Sequence, residues 1–132
     1  MSQHLLHHVS LPVADLQAAT AFYDAALGAL GYLRAFTAAT AVGYGSEPGK
    51  DKLCLKLTPA AANAGPGFHL AFSAPSESAV IDFHTQALAH GGRDNGPPGP
   101  RPHYGPDYYA AFVIDPDGHA LEAVYRAAQP DG

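Results

Sequence analysis

Three side chains in this sequence have the chemistry to hold a divalent cation: His8, His69 and Glu122. The two histidines occupy the same place in a repeated phrase. HHVSLPVAD, residues 7 to 15, returns as FHLAFSAPS, residues 68 to 76, which sets His8 over His69 at an offset of 61. The match runs on through Ala18 and Ala79, Phe22 and Phe83, Ala26 and Ala87, Leu27 and Leu88, Gly31 and Gly92. The closing strand of each half aligns as LCLKL with HALEA, pairing Lys56 with Glu122 at an offset of 66. If the halves pack about a pseudo-twofold axis, all four positions meet in one cleft. Two imidazoles and a carboxylate with open positions form a facial donor set suited to Fe(II), Mn(II), Ni(II) or Zn(II). An ammonium cannot ligate a cation. Lys56 is therefore expected to hold an anionic group of a substrate, or to pair with Glu122.

Further residues surround this set. Ser10 faces the cleft beside His8 and, with Glu122, is a candidate for proton transfer. Arg101, His103, Tyr104 and Tyr108 lie in or beside RDNGPPGPRPHYGPD, residues 93 to 107, too rich in Pro and Gly for regular structure. Loops of that length bind something or move, so these four are candidate substrate contacts or a proline-stiffened surface. Phe112 shares a strand face with Tyr108 and Glu122. Cys54 reads as a small buried hydrophobe. His7 points with Val9 toward the helix side, and His4, His84, His90, His103 and His119 have no repeat partner of metal character.

The elements that must carry these groups can be read from periodicity. Leu5 to Val13 alternates as a strand, with Val9, Leu11 and Val13 on one face and His8, Ser10 and Pro12 on the other. Asp15 caps a helix to about Leu30, its apolar residues Leu16, Ala19, Phe22, Tyr23, Ala26, Leu27 and Leu30 at helical spacing. Short strands follow near 33–37, 41–44 and 53–58. PAAANAGPG, residues 59 to 67, is by composition a linker. In the second half, Ser76 caps a helix to about His90 with Val80, Phe83, Ala87 and Leu88 inward. Residues 108–114 and 119–125 form a hairpin around DPDG, with Gly118 left-handed and Phe112 opposite Glu122. The fold class is α+β. Two βαβββ modules, about 4–58 and 68–126, make one domain over 1–132, an open, mixed-sheet, barrel-like cleft with helices packed outside.

Composition narrows the function. The chain has 132 residues, 47% hydrophobic and 14% charged, which is enough for one real core. A net charge of −5 with 7 Lys and Arg argues against nucleic acid as a partner. One cysteine makes no internal disulfide. No apolar run reaches the length of a membrane span, and MSQHLLHHVS lacks the marks of a signal peptide. The expectation is a cytoplasmic protein that acts on a small molecule.

From HHVSLPVADLQAATAFYDAALGALGY through GFHLAFSA to DPDGHALEAVY, the chain resembles the vicinal oxygen chelate superfamily. That superfamily includes glyoxalase I, bleomycin-resistance proteins, fosfomycin-resistance thiol transferases and extradiol dioxygenases. The resemblance implies paired βαβββ modules wrapping a metal held at His8, His69 and Glu122, and a homodimer. It places Lys56 where glyoxalase I carries a fourth, oxygen-donating ligand. DPDGHALEA is similar to the fosfomycin enzymes, which have a hydroxyl residue at Ser10 and a substrate-binding tyrosine at Phe112, so the resemblance implies a substrate contact at Phe112. Two functions follow as expectations. One is a metal-dependent lyase, dioxygenase or transferase acting on an oxygen-rich or anionic molecule. The other is a metal-free protein that sequesters its ligand, as bleomycin-resistance proteins do.

Overall fold

The computed structural model describes residues 5–60 and 65–127, so His4 and the middle of the expected linker, 61–64, lie outside it. The described chain runs β1 Val9–Val13, α1 Leu16–Ala29, β2 Leu33–Thr37, β3 Ala41–Gly45 and β4 Asp51–Leu57. It continues with β5 Leu70–Ser73, α2 Glu77–Ala89, β6 Arg93–Pro100, a 3-10 turn Pro102–Tyr104, β7 Tyr108–Ile114 and β8 Ala120–Arg126. Two four-stranded sheets share one topology, β1-β4-β3-β2 and β5-β8-β7-β6, and neither closes into a barrel. In each, the first strand runs parallel to the last and the other pairs are antiparallel. The α+β class and the two βαβββ modules are as expected.

Both helices begin where the sequence places a cap. The Asp15 side chain accepts from the Ala18 N–H at 3.1 Å, and Ser76 does the same for Ala79 at 3.1 Å, each satisfying an amide that the helix leaves unpaired. Their far ends differ by one residue. Gly31 takes φ +94° after α1, but Gly91, not Gly92, takes the left-handed turn after α2 at φ +100°. Gly92 is needed for another reason: a Cβ there would lie 2.7 Å from Phe22 Cε1 and 2.8 Å from Ala87 O. Leu88, expected inward, is 40% exposed, whereas Val80, Phe83 and Ala87 are buried.

The Pro- and Gly-rich stretch is the main correction. Residues 93–100 are strand β6, paired to β7 with register breaks at Asp94/Gly96 and Gly96/Gly99. An edge strand tolerates prolines because its outer N–H groups need no partner, and bulges absorb the misfit. β1 is shorter than expected, starting at Val9, and His7 is exposed rather than turned toward the helix.

Leu11, Val13, Phe22, Tyr23, Leu55, Val80, Phe83, Val113 and Leu121 belong to a single buried cluster that spans both modules. The helices pack on each other and on their own sheets. Polar bonds join the modules around this core. Tyr23 Oη donates to Asp115 Oδ2 at 2.5 Å, the Ala14 N–H donates to Asp117 Oδ1 at 2.9 Å, and Tyr32 Oη donates to Ser73 O at 2.8 Å. His119 Nε2 lies 2.9 Å from Pro12 O; a carbonyl only accepts, so this nitrogen carries the proton. Asp115 Oδ1 also takes the amides of Asp117 and His119. The DPDGH motif is thus spent on holding one module to the other.

The sheet registers correct one equivalence. Val9 pairs with Leu53 and Ser10 with Cys54, while Leu70 pairs with Leu121 and Ala71 with Glu122. Since Ser10 matches Ala71 at the repeat offset, the first-module counterpart of Glu122 is Cys54. Lys56 lies two residues further on, opposite Pro12. Sequence alignment missed this because LCLKL and HALEA slide by two along a strand without moving any side chain to the other face.

Candidate functional site

Alternation on β8 sends Leu121 and Ala123 into the core and Glu122 to the opposite face, where it is still only 3% exposed. Two donors close over its carboxylate. His69 Nε2 lies 2.5 Å from Oε1, and Tyr108 Oη donates to Oε2 at 2.5 Å. Phe112, directly opposite Glu122 on β7, sets its ring 5.7 Å from the His69 ring. Tyr108 stands opposite Arg126, four residues along from Phe112, and reaches Glu122 across Ala110, whose small buried side chain leaves the path open. Burial first, then the hydrogen bond to Glu122, raises the Tyr108 pKa well above the ordinary phenol value, so the hydroxyl remains a donor.

Around this pair lies a wall of rings and cations. Tyr104 packs on Tyr108 at 5.2 Å and His103 on Tyr104 at 4.1 Å. The Arg126 guanidinium sits 5.5 Å from the Tyr108 ring centroid and is anchored to Asp107 at 3.0 Å. Arg101 stacks over Phe112 at 5.3 Å, held by the carbonyls of Gly99 and Pro97. Arg101, His103, Tyr104, Tyr108 and Phe112 are therefore gathered beside Glu122.

The first-module residues are not. His8 is exposed and its Nδ1 lies 2.8 Å from that of His7. It lines a cavity of about 460 Å³ with Val9, Leu53, Leu70, Ala71 and Phe72 among the walls; Glu122 is not one of the lining residues. Ser10 and Lys56 are exposed on the first sheet, and Glu122 is bonded to His69 and Tyr108 rather than to Lys56. Among the described residues, no three His, Cys, Asp or Glu side chains come close enough to share an ion. Both modules bury their apolar sheet faces in the single core. Cys54, on the first sheet, is buried, and desolvation raises its pKa, as for an inert thiol.

The family model for the glyoxalase/bleomycin resistance protein/dioxygenase superfamily matches residues 5–123. The chain belongs to this superfamily. A crystal structure of a glyoxalase/bleomycin resistance protein from Albidiferax ferrireducens T118 is 32% identical, covering 93% of this chain and 99% of that one at a TM-score of 0.81. A glyoxalase-related enzyme from Fulvimarina pelagi is 25% identical, covering 99% and 94% at a TM-score of 0.74. A comparison with curated proteins gives no match. Within the superfamily frame the donor chemistry at Glu122 fits a divalent ion. An imidazole nitrogen and a carboxylate oxygen meet there, both groups that can ligate a divalent ion. The chain by itself supplies two of the three expected donors. Strand alternation puts Tyr108 on the face of Glu122, but gives no sign of the hydrogen bond between them across Ala110. The role of DPDGH in the module interface gave no sequence signal beyond the hairpin turn.

Proposed function

We propose that the protein is a divalent-metal-dependent enzyme acting on a small oxygen-rich or anionic molecule. The observation that carries this is the His69–Glu122 pair, at 2.5 Å, on an open face walled by aromatic and cationic side chains. His69 and Glu122 hold the ion, and His8 of a second copy completes the set in a homodimer, since within one chain no three donors meet among the described residues. When bound, the ion supplies Lewis acidity to adjacent substrate oxygens. Arg101, fixed over Phe112, receives the anionic group, and Phe112 and Tyr104 exclude water from one side. Ser10 and Lys56 enter only from the second copy's first sheet, Ser10 near the proton to be moved and Lys56 near a negative charge.

The second reading, a sequestering protein without a metal, is favoured by one feature. Both oxygens of Glu122 already have hydrogen-bond donors, so the site is satisfied as it stands. Metal titration of protein prepared without chelators separates the two. The enzymatic reading expects binding tighter than about micromolar, an association of about 8 kcal/mol. His69→Ala should abolish that binding and Lys56→Ala should retain it. Equal loss from both counts against this ligand assignment, and no binding by the wild type favours sequestration.

A further inference from the structure

We infer that the cavity between the two modules is a second binding site, for a small apolar molecule that carries one carboxylate. Its volume of about 460 Å³ lies within the range of small-molecule sites. At roughly 30 Å³ per heavy atom, the share of a water molecule in the liquid, it has room for up to about 15 such atoms. Neither Glu122, Arg101 nor Phe112 lines it, so the inference does not depend on the metal reading. Its walls come from both modules. Leu27, Tyr44 and Leu53 are buried, and Val9, Leu70 and Phe72 are partly buried. Tyr32 Oη donates to Ser73 O at 2.8 Å and braces one module against the other; both residues line the cavity. Tyr44 Oη is likewise engaged, donating to Asp24 Oδ1 at 2.8 Å. The aromatic walls therefore offer rings, not free hydroxyls.

The charge of the lining favours an anion. The chain carries 12 Asp and Glu against 7 Lys and Arg, yet no acidic side chain lines this cavity. Lys52 does, and it forms no ion pair among the described residues. The backbone adds further donors. β5 is an edge strand, with β8 its one neighbour among the described strands. The Ala74 N–H donates to Val124 O on the β8 side, while Ser73 O turns the other way, to Tyr32. Alternation then points the Ala71 and Ser73 amides away from β8, and both residues line the cavity. Open edge amides and an ammonium beside apolar walls suit a ligand with a hydrophobic body and one anionic acceptor.

Octanoate and octan-1-ol share a chain and differ in charge, so together they test this at neutral pH. Each is titrated into isotope-labelled protein without added metal and followed by amide chemical shifts. Octanoate should move the amides of Val9, Leu53 and 70–73, leave those of 101–112 in place, and bind more tightly than octan-1-ol. Lys52→Met keeps the apolar stem and removes the charge. It should weaken octanoate about 3- to 10-fold, between an exposed ion pair and a charged hydrogen bond, and leave octan-1-ol unchanged. Shifts centred on 101–112 would send the anion to Arg101 and overturn the inference. So would equal affinity for acid and alcohol, equal weakening of both by Lys52→Met, or no saturation by about 10 mM octanoate. The comparison of acid with alcohol uses the wild type alone, so it decides the matter even if the variant fails to fold.

Discussion

Tyr23→Phe offers a sharp test of how the modules are held together. The hydroxyl removed is fully buried and donates to Asp115 Oδ2 at 2.5 Å. The other oxygen, Oδ1, keeps the amides of Asp117 and His119. The variant therefore leaves one oxygen of a carboxylate that is 2% exposed without its recorded donor. A hydrogen bond to a charged group contributes about 1.5–3 kcal/mol, and a buried group left unsatisfied costs a similar amount. The expected loss is about 2–3 kcal/mol at neutral pH, or roughly 5–15 °C in Tm for a domain of this size.

The pH dependence follows from Asp115. Desolvation raises its pKa above 3.8 despite the opposing hydrogen bonds from Tyr23 and His119. A raised folded-state pKa means a contribution fully present below the unfolded value and lost as pH rises through the folded value. Removing the Tyr23 bond takes away a stabiliser of the charged form and raises the folded pKa further. The deficit of Tyr23→Phe should thus be largest near neutral pH and shrink as the solution is acidified toward protonation of Asp115. Urea denaturation of both proteins at a neutral and a mildly acidic pH measures it through the midpoints. A deficit below about 0.5 kcal/mol at neutral pH, far under a charged hydrogen bond, refutes the reasoning, as does a deficit that grows on acidification.

The remaining predictions concern the site and its scaffold. If the metal set spans two copies, mixing His8→Ala with His69→Ala chains should restore binding that neither shows alone, because each heterodimer keeps one intact set. Titration calorimetry of the mixture checks this; no recovery in a mixture shown to contain heterodimers argues for a site within one chain. Gly43→Ala should destabilise by about 1–3 kcal/mol. Its Cβ would lie 2.3 Å from Phe36 Cε1 and 2.8 Å from Asp51 Cβ; the exposed Phe36 ring can swing away, but the Asp51 backbone cannot. Thermal unfolding reads the difference, and an unchanged Tm would mean β3 and β4 yield more freely than their pairing suggests.

Much of the molecule follows from local pattern. The two helix caps, the alternation of Val9, Leu11 and Val13, the hairpin at Gly118 and the Phe112–Glu122 pairing depend on neighbours within a few residues or across one tight turn. These are interactions the chain writes directly into its spacing. Other features depended on how sheets slide and how modules meet. Edge placement made a strand of RDNGPPGP, and a two-residue slide exchanged Lys56 for Cys54 as the partner position of Glu122. Packing brought His69 to Glu122, but among the described residues it assembled no three-donor group with His8. Periodicity fixes which face a side chain takes, because alternation is a property of the backbone. It cannot fix which faces confront one another, because that is settled by burying the apolar sides of both sheets and helices in a single interior.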